Sequence, residues 1–512
     1  MFKRDNIFKK SPVIISLIIS AITVILYHIP FFQHAIPQID FSTFSGCLLS
    51  FNLVVLLFVL NAFVTYLLYS IFRGGAKYII IVTFIINSVA LYFINTFGVY
   101  LDKTMIGNVF NTNVEESTSF FSWALVAYII FLGILPSVFI FFFKPIKETF
   151  KRFIIQTGIV LLFMGAFSWA NASNWLWVDK NVPILGSLAM PWCYVVNSVR
   201  YASDKYENSK EAAPLPDIIV KEEGKSAVIL MIGESARQKN FSLYGYEQET
   251  NPRLSQIPDL HVYNAESAAT YTTAGVKAML DYKPTGKYIE PLTSYLHRNG
   301  FNVVWRTTNS GQPKMQVNKW QSYAELKELA EKDGLDPNYD ESLLSCITDE
   351  ITASESDKSL IVLHTSTSHG PTYYKKYPEQ FAKFTPVCTG VELSKCDHQE
   401  VINAYDNTIV YTDWLIAELI QRVSTLEGYK VTVLFVSDHG ESIGEQNLYM
   451  HGVPKSIAPE EQYKIPFLVW TNDKGMQFKN KDLVTQYAVF HTIMDALGLD
   501  SPIYNSDLSL IQ

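Results

Sequence analysis

Charge is scarce in this chain, and scarcest where it begins. Of 512 residues only 18% are Asp, Glu, Lys or Arg, against 48% hydrophobic and 14% aromatic. Mean hydropathy is +0.11. So apolar a composition excludes a disordered chain and is unusual for a purely water-soluble one. Of the 41 Lys+Arg and 49 Asp+Glu, residues 1–200 carry 13 and 7, which leaves 28 and 42 for residues 201–512. A net of +6 is therefore followed by a net of −14. The acidic part lacks a basic face, which argues against nucleic-acid binding. Internal repeats are lacking too. No Cys-x-Pro-x-Arg segment occurs, which disfavours a sulfatase dependent on a modified cysteine. At 58.2 kDa a single core is also disfavoured. A membrane anchor followed by a water-soluble domain is expected.

In place of charge, the first part has five apolar runs, near Ser11–Phe32, Phe44–Phe72, Tyr78–Leu101, Phe120–Phe143 and Phe153–Trp177. Each supplies the roughly 20 residues that a helix needs to cross a bilayer. The first is too long, and too closely followed by others, to be a cleaved signal peptide. Basic residues set the orientation. Lys3, Arg4, Lys9, Lys10, Arg73, Lys77, Lys144, Lys147, Lys151 and Arg152 fall on one side, and only Lys103 on the other. With an odd number of spans, the N-terminus is expected in the cytoplasm and the large C-terminal part across the membrane. In the outer connection IGNVFNTNVEES, Asn108, Thr112 and Glu116 recur every four residues. One helix there would align an amide, a hydroxyl and a carboxylate on one face. A solvated loop helix and a polar seat for a lipid headgroup both fit that spacing.

The expected organisation is a transmembrane domain over 1–177, an interface-hugging helix and linker over 178–216, and a soluble domain over 217–512. From Lys225 onward short β-rich runs alternate with helical patterns, which predicts a largely parallel α/β sheet. The strands are placed at Ala227–Ile232, Asn302–Trp305, Leu360–Leu363, Val431–Val436 and Ile465–Trp470. Three of them run into Gly233-Glu234-Ser235, into His364 to Gly370, and into Ser437-Asp438-His439. Ligand sites in open α/β sheets lie outside the carboxyl ends of strands, so these segments are candidates for one shared site.

Asp438 beside His439 suits a divalent metal such as zinc, although Asp-His-Gly in a loop is more often a turn. Glu234 could supply a third ligand or be a plain helix-start carboxylate. His369 and His451 are each ordinary loop histidines when taken singly. The threonines of Thr270-Tyr271-Thr272-Thr273-Ala274-Gly275 precede a helical run, where a hydroxyl would face unpaired N–H groups and the positive dipole end. One of them is a candidate nucleophile, with a threonine N-cap as the plain alternative and Ser235 as a rival.

Taken in order, MIGESARQKNFSLYGYEQETNPRL, SAATYTTAGVKAM, TSHGPTYYKKYP, NAYDNTIVYTDWLI and SDHGESIGEQNLYMHGVP closely resemble the membrane-bound phosphoethanolamine transferases. These modify lipid A and other lipopolysaccharide sites and include the mobile colistin-resistance enzymes. The resemblance implies five transmembrane helices and a periplasmic α/β domain of alkaline phosphatase/sulfatase-like fold, working as a monomer in the inner membrane of a Gram-negative cell. It implies phosphatidylethanolamine as donor, lipopolysaccharide, lipid A first, as acceptor, and a catalytic zinc. Glu234, Asp438 and His439 then look like zinc ligands. Thr272, 38 residues after Glu234, looks like the nucleophile that also touches the metal. His369 and His451 look like the pair that handles the transferred phosphate or holds a second zinc, and Lys314 like a substrate-binding lysine. Asn108, Thr112 and Glu116 match residues that hold the donor. Cys388 and Cys396 match a family disulfide. A second family pair would fall at Ala268 and Ala278 and is missing, and Cys346 has no evident partner. Phosphoglycerol transfer, transfer to another envelope glycan or protein, and a non-catalytic zinc-stabilised sensor are the alternatives.

Overall fold

In lipid, an apolar run can satisfy its backbone N–H and C=O groups only as a helix or a closed barrel, and helices are what the first 200 residues form. The computed structural model describes residues 8–112, 114–208, 212–285 and 288–512. These fall into two compact units, Met1–Gly107 with Phe121–Ala202, and Asn108–Phe120 with Ser203–Gln512. Lys3 and Arg4 lie outside the described residues.

In the first unit each apolar run becomes a helix: Pro12–Tyr27, Phe44–Phe72, Ala76–Phe97, a stretch over Trp123–Phe141, and Phe150–Ala170. Four of the five begin at a hydroxyl cap. Ser11, Thr43, Ser122 and Thr149 each accept a hydrogen bond from a first-turn backbone N–H, which satisfies one of the donors a helix start leaves over. Small residues let the first two helices approach, and Ser20 Oγ donates to the Phe58 carbonyl at 2.6 Å. By length and composition three helices qualify as membrane spans, Phe44–Phe97 counting as one, and five if each of two bent pairs is one span. Those pairs are Pro12–Tyr27 with Ile29–Gln38, bent by 62°, and Trp175–Leu188 with Trp192–Tyr206, bent by 94°. The basic connections meet at one end of this unit. Lys9–Lys10 pairs as a short parallel strand with Lys144–Pro145, and Lys77 Nζ donates to the Phe141 carbonyl at 3.4 Å.

The predicted single helix through Asn108, Thr112 and Glu116 is not what forms. A helix over Lys103–Asn111 ends before Thr112, and a second runs over Val114–Ser119. The Thr112 N–H and hydroxyl both reach the Asn108 carbonyl at 2.8 Å, so this threonine closes the last turn of the first of the two helices. The side chain of Glu116 lies outside the described residues.

The second unit is built on an eight-stranded sheet. Its strands are β1 (Ser226–Gly233), β2 (His261–Glu266), β3 (Asn302–Thr307), β4 (Lys319–Gln321), β5 (Lys358–His364), β6 (Lys430–Ser437), β7 (Lys464–Thr471) and β8 (Val484–Thr485). Their order is β8-β2-β7-β6-β1-β5-β3-β4. All pairings are parallel except those of β7, which runs antiparallel to β6 and β2. The central strands are buried along their whole length, as expected of strands covered on both faces. On one face, alternate residues such as Val228, Leu230 and Ile232 pack against α1 (Thr272–Leu280) and against helices over Leu292–Arg298 and Ala488–Ala496. On the other face lies the long helix α2 (His398–Ser424). Cys388 and Cys396 are bonded, with sulfurs 2.01 Å apart, whereas Cys47, Cys193 and Cys346 are free.

Candidate active site

β5, β1 and β6 are neighbours and parallel, so their carboxyl ends open on the same edge of the sheet. Chain direction alone therefore brings Glu234, His369, Asp438 and His439 together from segments up to about 200 residues apart. α1 adds Thr272. Gly275 makes that approach feasible, since a Cβ there would lie 2.1 Å from the Asp438 carbonyl oxygen. Tyr271, not Thr272, is the N-cap, so the threonine hydroxyl is not spent on its own helix.

It points instead at the strand ends. Thr272 Oγ1 lies 3.4 Å from Glu234 Oε2 and 3.3 Å from His439 Nε2. His439 Nε2 is also 3.3 Å from Asp438 Oδ2 and 3.6 Å from Glu234 Oε1. The other ring nitrogen, Nδ1, donates to the Gly440 carbonyl at 2.7 Å, which sets the tautomer and turns the Nε2 lone pair toward the acids. Asp438 Oδ1 accepts from the backbone N–H groups of Ser235 (3.0 Å) and His439 (2.7 Å). Its Oδ2 is buried without a hydrogen bond. Glu234, His439 and His451 each offer a ligand atom, and all three atoms lie within 4.8 Å of one another. The His451 ring is centred 4.2 Å from that of His439 and 5.6 Å from that of His369.

Burial dominates the electrostatics. Glu234 is 1% exposed, Asp438 and His439 0%. Burial alone would raise the Glu234 carboxyl, but the histidines around it, His369 first, and the Ser235 hydrogen bond hold it well below the usual range. Burial and the Glu234 charge then push Asp438 far up. Burial, with His451 next, lowers His439 to about 3, so that imidazole is neutral. Two buried acids, a neutral imidazole and a hydroxyl thus present lone pairs to one point, with one carboxylate oxygen unpaired. Such a set is costly without a countercharge and has the donor types that zinc takes.

A family profile described as Sulfatase matches residues 226–499, and one described as Phosphoethanolamine transferase EptA/EptB matches residues 56–206. Over 511 residues the chain is 36% identical to the phosphoethanolamine transferase EptA of Helicobacter pylori, covering 97% of this chain and 96% of that protein. The chain belongs to the phosphoethanolamine transferase family. The phosphatidylethanolamine transferase Mcr-1 of Escherichia coli is 34% identical over 82% of this chain and 83% of its own. In fold, the transferase matches the integral membrane protein lipooligosaccharide phosphoethanolamine transferase A (EptA) from Neisseria meningitidis. The TM-score is 0.85 over 98% of both chains, at 22% identity. A helical membrane region followed by a soluble sulfatase-like domain is therefore the architecture of this transferase.

The structure adds site residues that sequence reasoning missed. Asn309, on the loop after β3, donates from Nδ2 to Glu234 Oε2 at 2.7 Å and to the Thr365 carbonyl at 2.8 Å. Glu441 Oε2 holds His451 Nδ1 at 3.0 Å. Arg237 is buried and clamps two strand-end loops, donating to Glu445 Oε1 at 2.7 Å and the Glu441 carbonyl at 3.2 Å. A signal for Glu441 was available, since it ends the Asp-His-Gly-Glu run; Asn309 had none. Ser235 gives its hydroxyl to Glu234 Oε1 at 2.6 Å, so it buttresses that acid. Lys314 is exposed on the Asn309 loop, where its carbonyl accepts from Tyr288 at 3.1 Å. No hydrogen bond or ion pair joins its ammonium to the described residues of the cluster.

Proposed function

We propose that the transferase moves phosphoethanolamine from phosphatidylethanolamine to lipopolysaccharide, with lipid A as the acceptor, through a phosphothreonine at Thr272. Adding an ammonium group masks negative surface charge, so cationic peptides such as polymyxins bind less well. The observation that carries this reading is the Thr272 hydroxyl seated 3.4 Å and 3.3 Å from a buried acid and a neutral imidazole. The names of the relatives supply the group transferred.

Glu234, Asp438, His439 and Thr272 would hold a zinc ion, with His369 and His451 available for a second. Bound zinc supplies a Lewis acid that lowers the pKa of a hydroxyl and offsets the charge of a phosphoryl group. The residues do the rest. Thr272 Oγ1 sits at the start of α1, where the helix dipole and unpaired N–H groups favour both an alkoxide and a phosphate. It attacks the phosphorus of the donor while the P–O bond to diacylglycerol breaks. His451, oriented by Glu441 through Nδ1, or His369 gives the departing oxygen its proton. A phosphate oxygen or hydroxyl of the acceptor then attacks phosphothreonine as the P–O bond to Thr272 breaks. The histidine takes up the proton of the acceptor hydroxyl, or one from water where a phosphate oxygen attacks, and the threonine oxygen leaves as the alkoxide that first attacked, its own hydroxyl proton having gone to water. Arg237 and Asn309 position the ligand-bearing loops.

Asn108, Thr112, Glu116 and Lys314 belong in this reading as donor-binding residues. Residues 1–177 act as the anchor in a Gram-negative inner membrane, and residues 217–512 face the periplasm as a monomeric catalytic domain. The ten basic residues against one support that orientation.

Mass spectrometry of lipid A from cells expressing the wild type and Thr272→Ala tests the proposal. One added phosphoethanolamine in the wild type alone is the expected result. A gain in both strains would replace Thr272 with Thr273 or Ser235, and a gain in neither would move the acceptor away from lipid A.

A further inference from the structure

Beside the Thr272 cluster lies a polar cleft of about 310 Å³ whose lining includes Asn309, Tyr339, Asp340, His369, Lys375 and Lys376. Two of these residues tie the cleft to the reacting centre. Asn309 hydrogen-bonds Glu234, and the His369 ring lies 5.6 Å from that of His451. The rest serve nothing in the mechanism above. Asp340 is buried and its lone pairs are taken by protein donors. One oxygen accepts from the Thr308 hydroxyl at 2.5 Å and the Ser366 hydroxyl at 3.3 Å. The other accepts from the Ser366 N–H at 2.8 Å and from the Thr367 hydroxyl. A carboxylate with its lone pairs so occupied holds the cleft wall in place and has no lone pair left for a ligand.

The lysines are the reverse. Lys375 is exposed and Lys376 half-buried. Neither ammonium forms an ion pair or side-chain hydrogen bond among the described residues; Lys375 Nζ lies only 5.5 Å from the Tyr374 ring centroid. Both are held in place by backbone, because residues Tyr373–Lys375 form a 3-10 turn that follows directly on the loop carrying His369. The cleft therefore offers two positive charges without an ion pair among the described residues, with hydroxyls and amides, and a lining more polar than apolar. Its chemistry suits a phosphorylated sugar better than the diacylglycerol body of a phospholipid.

We infer that this cleft is the acceptor subsite, in which Lys375 and Lys376 bind a phosphate of the acceptor sugar that does not itself react. It rests on the proposed transfer and makes that transfer selective. An acceptor with two phosphates places one at Thr272 and anchors the other on the lysines, whereas an acceptor with one phosphate forfeits the anchor. The donor, with its single phosphodiester at the reacting centre, does not need them.

The test uses the full-length transferase with zinc, in mixed micelles with phosphatidylethanolamine, and bisphosphorylated or monophosphorylated lipid A as acceptor. Intermediate formation is followed first, as diacylglycerol release without acceptor, and acceptor-dependent transfer second. Wild-type kcat/KM should favour the bisphosphorylated acceptor by about tenfold, the worth of one charge-assisted hydrogen bond, and the preference should weaken with salt. In Lys375→Gln/Lys376→Gln the acceptor KM should rise until the preference is gone, while diacylglycerol release keeps its rate. Both lysines are at the surface, so the variant should keep its fold, which thermal unfolding checks. A preference that survives in the double variant overturns the subsite. So does a fall in diacylglycerol release equal to the fall in transfer, which would assign the lysines to the donor. A wild type that releases no diacylglycerol and forms no phosphothreonine refutes the proposed transfer itself, a result distinct from either.

Discussion

At position 438 a carboxylate is 0% exposed, has one oxygen without a hydrogen bond, and lies beside a second buried acid, Glu234. Local stability does not favour such a residue; a cation does. Asp438→Asn keeps the Oδ1 acceptor for the N–H groups of Ser235 and His439 and removes an acid that the metal-free fold must hold protonated. Metal-free variant is therefore expected to melt about 5 °C above metal-free wild type. Saturating zinc should raise the wild-type Tm by a similar amount, through its preference for the folded chain, and leave the variant where it was. Thermal unfolding in detergent with zinc and with chelator measures both. A variant that zinc still stabilises would remove Asp438 from the ligand set. Asp438 and His439 could be picked out beforehand because Asp-His-Gly follows a strand. His451 stood out beforehand only as one of several loop histidines and drew its role from the family resemblance, since its distance from Glu234 is a fact of folding.

At the scale of elements, what matters is how closely α1 approaches the end of β6. Gly275 is the contact, and its missing side chain leaves room for the Asp438 carbonyl. In Gly275→Ala the added methyl must displace the helix, at a cost of about 1–3 kcal/mol, and Thr272 moves with it. Transfer is expected to fall at least tenfold in kcat with a smaller change in KM, because a misplaced nucleophile loses more than a binding residue does. Steady-state kinetics on lipid A checks this, and wild-type kcat would show that the approach is not tight. Element identity was largely legible. The five predicted strands recur as β1, β3, β5, β6 and β7 with bounds shifted by one or two residues at their ends. The missed strands, β2, β4 and β8, are short or half-exposed, as in His261–Glu266, so they lack an apolar run to betray them. The antiparallel sense of β7 was equally invisible, because a buried strand reads the same in either direction. At Thr112 the period of four misled, since a spacing of four does not register where one helix stops and the next starts.

For the whole molecule the decisive feature is charge asymmetry. The basic connections of the first unit gather at one end, where Lys9–Lys10 lies against Lys144–Pro145. That end is expected in the cytoplasm. A phosphatase reporter that works only after export should therefore be active when fused after Gln512 and inactive when fused after Glu148. The opposite pattern would invert the orientation and remove the catalytic domain from its acceptor.

Composition and order settle part of this molecule without coordinates. Apolar length makes helices because lipid offers a backbone no partners, the step in charge marks the soluble part, and strand-then-polar runs mark Glu234, Asp438 and His439. These are short-range properties, and short-range properties survive in a one-dimensional string. Only the fold brings Asn309 onto Glu234 and Thr272 onto His439, and closes Asn309, Asp340 and His369 around one cleft. Each of those depends on strand order and close packing, which distribute contacts over residues far apart in the chain and leave no local trace.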